Sequence, residues 1–240
     1  WSTYIQPLGD RLVSIGVDDT DNKRRVAVSL FDVSDVNNPK LFDKVSMGES
    51  WSWSEAQYDE KAFTVLPHAG LILVPYQGHE AGGYAKKGQI IDVGQKTVKK
   101  RGVIEHSMQP RRATEYQDFI MSISGQELLS VDAADRDRPL VIGKLELSYV
   151  VDQIIPFGDY LLQLARGANW YYGEQRGPSL RVVSKSDIDT SLSDITLNKK
   201  AYLSGASIRN DRLYLLQTKA YQAVNNEPAP EKSNKEKEDS

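Results

Sequence analysis

The sequence predicts an all-β fold, a β-propeller of four-stranded antiparallel blades, and two recurring patterns and their spacing predict it. A short turn followed by an apolar run recurs five times: Gly9-Asp-Arg-Leu-Val-Ser-Ile15, Ala69-Gly-Leu-Ile-Leu-Val74, Gln117-Asp-Phe-Ile-Met-Ser-Ile123, Gly158-Asp-Tyr-Leu-Leu-Gln-Leu164 and Asn210-Asp-Arg-Leu-Tyr-Leu-Leu216. With Asp10, Gly70, Asp118, Asp159 and Asp211 as markers, the spacings are 60, 48, 41 and 52 residues. A second strand-like run interleaves with the first, as Leu30-Phe-Asp-Val33, Ile90-Ile-Asp-Val93, Leu128-Leu-Ser-Val131 and Leu180-Arg-Val-Val183. A period of roughly 40–50 residues with four short strands per unit is the signature of a propeller blade.

Each unit follows the order A, B, C, D. Blade one is expected over residues 1–47, blade two over 61–105, blade three over 112–147 and blade four over 150–197. A fifth unit supplies strands A and B, near 202–208 and 212–218, and then stops. Asp at the A–B turns has a local explanation, because its carboxylate caps the backbone of a tight reversal. The clearest single hairpin runs from Val28 to Val45, where two runs rich in Val, Leu and Phe flank a turn of Ser, Asp, Asn and Pro. Those turn residues tolerate unusual backbone angles or pre-set φ. The propeller is expected to occupy residues 1–221. The segment 222–240 has almost no apolar residues and reads as a disordered charged tail or linker. An open half-blade would leave unpaired strand edges, so N-terminal strands of the same propeller, upstream of Trp1, are expected to complete it, the alternative being four blades that close imperfectly.

Composition narrows the function classes. The 240 residues are 40% hydrophobic and 26% charged, with a formal net charge of −3, which is ordinary for a globular chain. The near-neutral balance gives no reason to expect nucleic acid as a partner, since backbone binding shows as a basic excess. No run approaches 18 apolar residues, so no membrane span is expected. The chain starts at Trp1 without an initiator Met, which reads as a fragment or processed product. Zero Cys excludes disulfides and thiolate metal sites, and fits an oxidising compartment and the cytosol about equally.

Val28–Pro39 followed by Trp51-Ser-Trp-Ser-Glu-Ala-Gln-Tyr-Asp-Glu-Lys-Ala-Phe63 resembles the secreted beta-propeller domain family of bacteria and archaea. That family carries a similar "SLFDVSD…NP" hairpin and then a "SEA…D-x-KAF" segment entering the next blade. The match covers about residues 8–76 and is loose beyond, and Glu60 stands where the family pattern often has His. The hairpins are also similar to those of LVIVD-type repeat propellers. The resemblance implies the fold and a secreted, cell-surface or periplasmic setting, and no activity.

Catalytic motifs are searched for and rejected one by one. His79-Glu80 begins an H-E-x-x-H zinc motif, but the fifth position is Gly83. Gly48-Glu-Ser-Trp-Ser52 begins like a nucleophile elbow and ends in Ser. Gly83-Tyr-Ala-Lys-Lys-Gly88-Gln89 has phosphate-loop glycine spacing without the Lys-Ser/Thr that grips phosphate and Mg²⁺. Asp18, Asp19 and Asp21 crowd three carboxylates into one short loop. They could collect oxygen ligands around Ca²⁺, or form a plain acidic B–C turn.

Aromatic residues mark the connections. Trp51, Trp53 and Tyr58 lie in one, and Trp170 and Tyr171 in another. Some should wedge between blades, and the rest should sit in loops, where an exposed Trp is costly unless something binds it. In an antiparallel meander all B–C and D–A connections share one face. The long ones fall there: 16–27, 77–89 and 165–179 as B–C loops, 48–60 and 106–111 as D–A loops. Long loops on a rigid scaffold are where binding residues usually lie. The expected site is therefore Trp51, Trp53, Tyr58, Arg111, Trp170 and Tyr171, taking a protein or glycan. The rivals are an enzyme with a polar site in a central channel, assembled from several blades, and a purely structural domain of a larger surface protein.

Overall fold

The computed structural model describes residues 1–167 and 177–219. Trp170, Tyr171 and the tail expected over 222–240 lie outside the described residues. The chain divides into two compact units, Trp1–Val150 and Val151–Ser240.

The first unit holds three antiparallel sheets. Blade one is a meander of β1 (Ser2–Leu8), β2 (Arg11–Asp18), β3 (Arg25–Asp32) and β4 (Lys40–Met47). In blade two, β7 (Leu71–Glu80), β8 (Gly83–Val93) and β9 (Val98–Glu105) follow an inner strand broken into β5 (Ser52–Trp53) and β6 (Thr64–Leu66). Both pieces pair antiparallel with β7, at opposite ends of it. Blade three is β10 (Pro110–Tyr116), β11 (Phe119–Ser124), β12 (Glu127–Asp132) and β13 (Leu140–Glu146). The second unit holds blade four, with β14 (Gln153–Phe157), β15 (Tyr160–Ala165), β16 (Ser179–Ser184) and β17 (Asp187–Thr196). Its remaining sheet is the two-stranded hairpin of β18 (Ala201–Arg209) and β19 (Arg212–Lys219). The fold is thus a β-propeller type with four complete blades and a fifth A–B hairpin.

The apolar patterning explains the packing. The unbroken run Leu71-Ile-Leu-Val has no polar alternation because β7 is buried on both faces. Ile72, Val74 and Tyr76 pack with Val13, Ile15, Val28 and Leu30 of blade one. Leu71 and Leu73, pointing the other way, pack with Ile120, Leu129 and Val131 of blade three. Blade two is therefore the filling between two cores.

The repeated turns have a common chemistry. In blade one the Asp32 carboxylate accepts from the Ser34 amide and hydroxyl, and Asp35 accepts from the Asn37 amide. In blade three Asp132 and Asp135 do the same for the Ala134 and Asp137 amides. Each turn then closes through the Asp35 or Asp135 carbonyl, which takes the Asn38 or Arg138 amide just before Pro39 or Pro139. At the A–B turns Gly9, Gln117, Gly158 and Asn210 all adopt positive φ, which is why Gly and Asn recur there.

Two expected loops are corrected. The stretch 77–89 is no loop: β7 and β8 run on as a paired ribbon to Glu80↔Gly83. Its alternation is of polar and small residues with few apolar ones, so no strand signal shows in the sequence. The connection 48–60 contains β5, and blade two begins there rather than at Lys61.

Candidate binding face

The break in the inner strand of blade two is the centre of this face. Between β5 and β6 the chain leaves the sheet over 54–63, makes two 3-10 turns and returns. Ser54 starts the spur with a capping box. Its hydroxyl accepts from the Ala56 amide at 3.1 Å, and its own amide donates to Gln57 Oε1 at 3.2 Å. Asp59 caps the second turn through the Lys61 amide at 3.0 Å. Ala62 and Phe63 are buried and root the spur in the core, with Tyr4 edge-on to Phe63.

Side-chain ties fix the spur to both neighbouring blades. Toward blade one, Gln57 Nε2 donates to the Gly16 carbonyl at 3.1 Å. Toward blade three, Gln109 Nε2 donates to Glu55 at 3.1 Å, and the Arg112 guanidinium lies 2.6 Å from the Asp59 carboxylate. Arg111, more than half exposed, reaches to 3.9 Å of Glu55.

Two aromatic groups stand on this frame. Tyr58, at the tip of the spur, is 75% exposed and stacks on Trp53, with ring centroids 5.9 Å apart and an interplanar angle of 25°. Trp51, 37% exposed, stacks on Tyr84 at 6.5 Å and 24°, and His79 closes the group edge-on to Tyr84 at 5.4 Å. Strand alternation sets Trp51 and Trp53 on one side of β5 and buried Ser52 on the other. Ser52 Oγ donates to the Met47 carbonyl and accepts from the Val26 amide, pinning β5 to blade one. Gly78 lets β5 come this close: a Cβ there would lie 2.4 Å from the Trp51 carbonyl oxygen.

Of the expected site residues, then, Trp51, Trp53, Tyr58 and Arg111 gather on one frame. Gln57, His79 and Tyr84 belong with them and were missed. The Ser54-x-x-Gln57 capping box was a readable signal for the spur.

The acidic loop is a lock. Asp18 is buried at the end of β2 with Arg25 at 2.8 Å and Lys44 at 3.1 Å. The Thr20 and Ser46 hydroxyls also donate to it. The Thr20 hydroxyl, with Ser46 and Lys44 and against the cost of burial, holds its carboxyl far below the usual carboxylate range. Asp19 and Asp21 are exposed and do not join it. A carboxylate already held by two cations is a poor calcium ligand, so Asp18 is committed to the lock. Among the described residues no group of three His, Asp or Glu is placed to hold a metal.

A third cluster imitates a nucleophile triad. His106 Nε2 pairs with Ser122 Oγ at 2.7 Å, and His106 Nδ1 lies 3.3 Å from Glu127 Oε1. The arrangement has Ser–His–acid order, with both the serine and the imidazole buried. Glu127 also takes the Ser107 amide at 2.7 Å and the Lys144 ammonium at 2.5 Å. Burial pushes the Glu127 carboxyl up, but Lys144 and Ser107 outweigh it and bring it down to about 2. Burial pushes the His106 imidazole below its ordinary value, opposed in part by Glu127. The cluster ties the entry of β10 to β11 and β12.

No helix among the described residues is long and apolar enough to cross a membrane. The chain resembles the uncharacterised protein MJ1554 of Methanocaldococcus jannaschii, at 40% identity over 80 residues, a third of this chain and 12% of that protein's length. Among solved structures it is similar to the acylaminoacyl peptidase of Pyrococcus horikoshii, with a TM-score of 0.38, 9% identity, and 90% of this chain and 43% of that one covered. It is also similar to the β-propeller domain of the Trilobed protease of Pyrococcus furiosus, with a TM-score of 0.37, 10% identity, and 85% and 60% covered. The family model for the beta propeller domain matches residues 1–133, more than half of the sequence and all of blades one and two, and the chain belongs to that family.

Proposed function

We propose that this chain is a non-enzymatic binding module that works outside the cytoplasm and takes its ligand on the face built by Trp51, Trp53, Tyr58 and Arg111. One observation carries the reading. Tyr58 keeps three quarters of its surface in solvent while six polar ties and a partner ring hold its spur rigid. A mobile aromatic pays conformational entropy on binding, and a pre-organised one does not. Large flat rings with polar tips are also the side chains that dominate interfaces. The resemblance to secreted propellers supports the extracytoplasmic setting.

The test is capture from source-cell extract on immobilised protein, comparing the native chain with Tyr58→Ala. Capture should fall at least tenfold while the circular dichroism spectrum stays the same. Equal capture by both proteins refutes the reading.

A further inference from the structure

We infer that the ligand of this face is a carbohydrate, a neutral β-linked oligosaccharide of gluco configuration lying across the two aromatic pairs; this rests on the binding reading above. The first ground is the form of the aromatic surface. Trp53 with Tyr58 and Trp51 with Tyr84 are two stacked pairs, each within about 25° of parallel. Their tryptophans occupy positions i and i+2 on one strand, hence roughly 7 Å apart on one face. Ring centroids 5.9 and 6.5 Å apart fall in the range of offset-stacked pairs, so each pair is read as a platform. Protein hot spots usually work the other way, with an anchor filling a desolvated pocket. A pyranose with equatorial hydroxyls presents a flat face of C–H bonds. Their partial positive charge suits the negative face of an aromatic ring, and a chain of such units repeats the match on the second pair.

The second ground is the cleft beside the platform. A depression of about 310 Å³ runs along the spur, lined by Thr3, Tyr4, Gln57, Tyr58, Asp59 and Lys61 among others. This lies at the lower end of small-ligand site volumes, about 300–1,000 Å³, but such sites are mostly apolar. Here the Thr3 hydroxyl, the Gln57 carboxamide, the Asp59 and Glu60 carboxylates and the Lys61 ammonium stand next to an exposed ring. Sugar hydroxyls donate and accept at once, so a lining that mixes both roles suits them. An aliphatic or purely ionic ligand would use only half of it.

The experiment is titration of the full chain with cellohexaose and chitohexaose, followed by calorimetry and by tryptophan emission, with maltohexaose as the α-linked control. A β-linked probe should bind in the micromolar to millimolar range and change the emission. Tyr58→Ala and Trp51→Ala should each weaken it at least tenfold, while Tyr58→Phe should keep most of the affinity because the ring face remains. If no β-linked probe binds, but Tyr58→Ala still loses capture from source-cell extract, the carbohydrate assignment falls and the binding face stands, with a protein as its ligand. If Tyr58→Ala changes neither, both fall. Binding of maltohexaose as tight as that of cellohexaose overturns the stereochemical part of the assignment.

Discussion

The Gln57 carboxamide is held at both ends, its nitrogen on the Gly16 carbonyl at 3.1 Å and its oxygen on the Ser54 amide at 3.2 Å. One side chain therefore closes the capping box of the spur and ties that spur to blade one. Gln57→Ala removes both bonds and leaves the Gly16 carbonyl without this donor, at a cost of about 1–3 kcal/mol. Urea denaturation should show this as a lower midpoint at unchanged slope. Binding should weaken as well, although Gln57→Ala leaves every ring in place. Gln57→Glu, which keeps the box acceptor and loses the donor to Gly16, should fall between the two. A Gln57→Ala protein as stable as the native chain would show that the Gln57 carboxamide does not hold the spur.

Asp18 faces Arg25 and Lys44 in a nearly buried setting. Asp18→Ala leaves two cations without their carboxylate. A fully buried pair would lose about 3–5 kcal/mol. With Arg25 21% and Lys44 40% exposed, solvent screening brings the expected loss to about 1–3 kcal/mol. Asp19→Ala, at an exposed position, should stay within about 0.5 kcal/mol. Millimolar Ca²⁺ should leave the melting temperature of the native chain unmoved, because a ligand stabilises only what it binds. A rise in melting temperature with Ca²⁺ that Asp19→Asn abolishes would restore the calcium reading of this loop.

The repeat was legible because each blade reuses the same local chemistry. The D-x-x-D-x-x-x-P turns at Asp32 and Asp132 make the same hydrogen bonds, and the left-handed turn positions favour Gly or Asn, with Gln117 an exception. The double-sided core was legible too, in the unbroken run Leu71–Val74. Hidden parts were those set by tertiary pairing instead of local pattern. Gln77–Glu80 and Gly83–Lys87 carry little apolar periodicity and become strands by pairing with each other. The partners of Asp18 were hidden because charge along the chain shows density and not pairing: Lys44 is 26 residues from Asp18. Three rings of the face, Trp51, Trp53 and Tyr58, were visible as aromatics in a connection. Tyr84 and His79 were not, because only the ribbon brings them to Trp51.

Gly78 faces the backbone of β5 so closely that a methyl group would sit 2.4 Å from the Trp51 carbonyl and 2.7 Å from the Ser52 Cα. Backbone does not yield as a flexible side chain does, so Gly78→Ala should push β5 off β7. The loss is expected at about 1–3 kcal/mol, the usual cost of overpacking. Its specific sign is at the face: the Trp51–Tyr84 pair should separate and tryptophan emission should change. A Gly78→Ala chain with native stability and native emission would mean that β5 tolerates the shift without moving its rings.

The buried cluster of His106, Glu127, Lys144, Ser107 and Ser122 predicts how stability varies with pH. His106 ionises near 6.5 in the unfolded chain, and burial lowers that value in the fold. Below about pH 6.5 the unfolded state therefore binds more protons than the native one. The His106 contribution is complete above that pH and shrinks as the pH falls. Glu127 behaves in the same direction over a lower range. Its folded value of about 2 lies under its ordinary 4.5, so its contribution is complete above 4.5 and is lost as the pH falls toward 2. The melting temperature should thus decline in two stages, the first starting near pH 6.5 and the second below 4.5. His106→Gln, which keeps a hydrogen-bonding group near Ser122 but does not titrate, should flatten the first stage and leave the second. Glu127→Gln should shrink the second stage, leaving the Asp18 share that is lost below about 3.8, and lower stability at pH 7, since Lys144 and the Ser107 amide lose their anion. A melting temperature that stays level between pH 7 and 5 in the native chain, or declines there unchanged in His106→Gln, would exclude His106 as the source of the first stage.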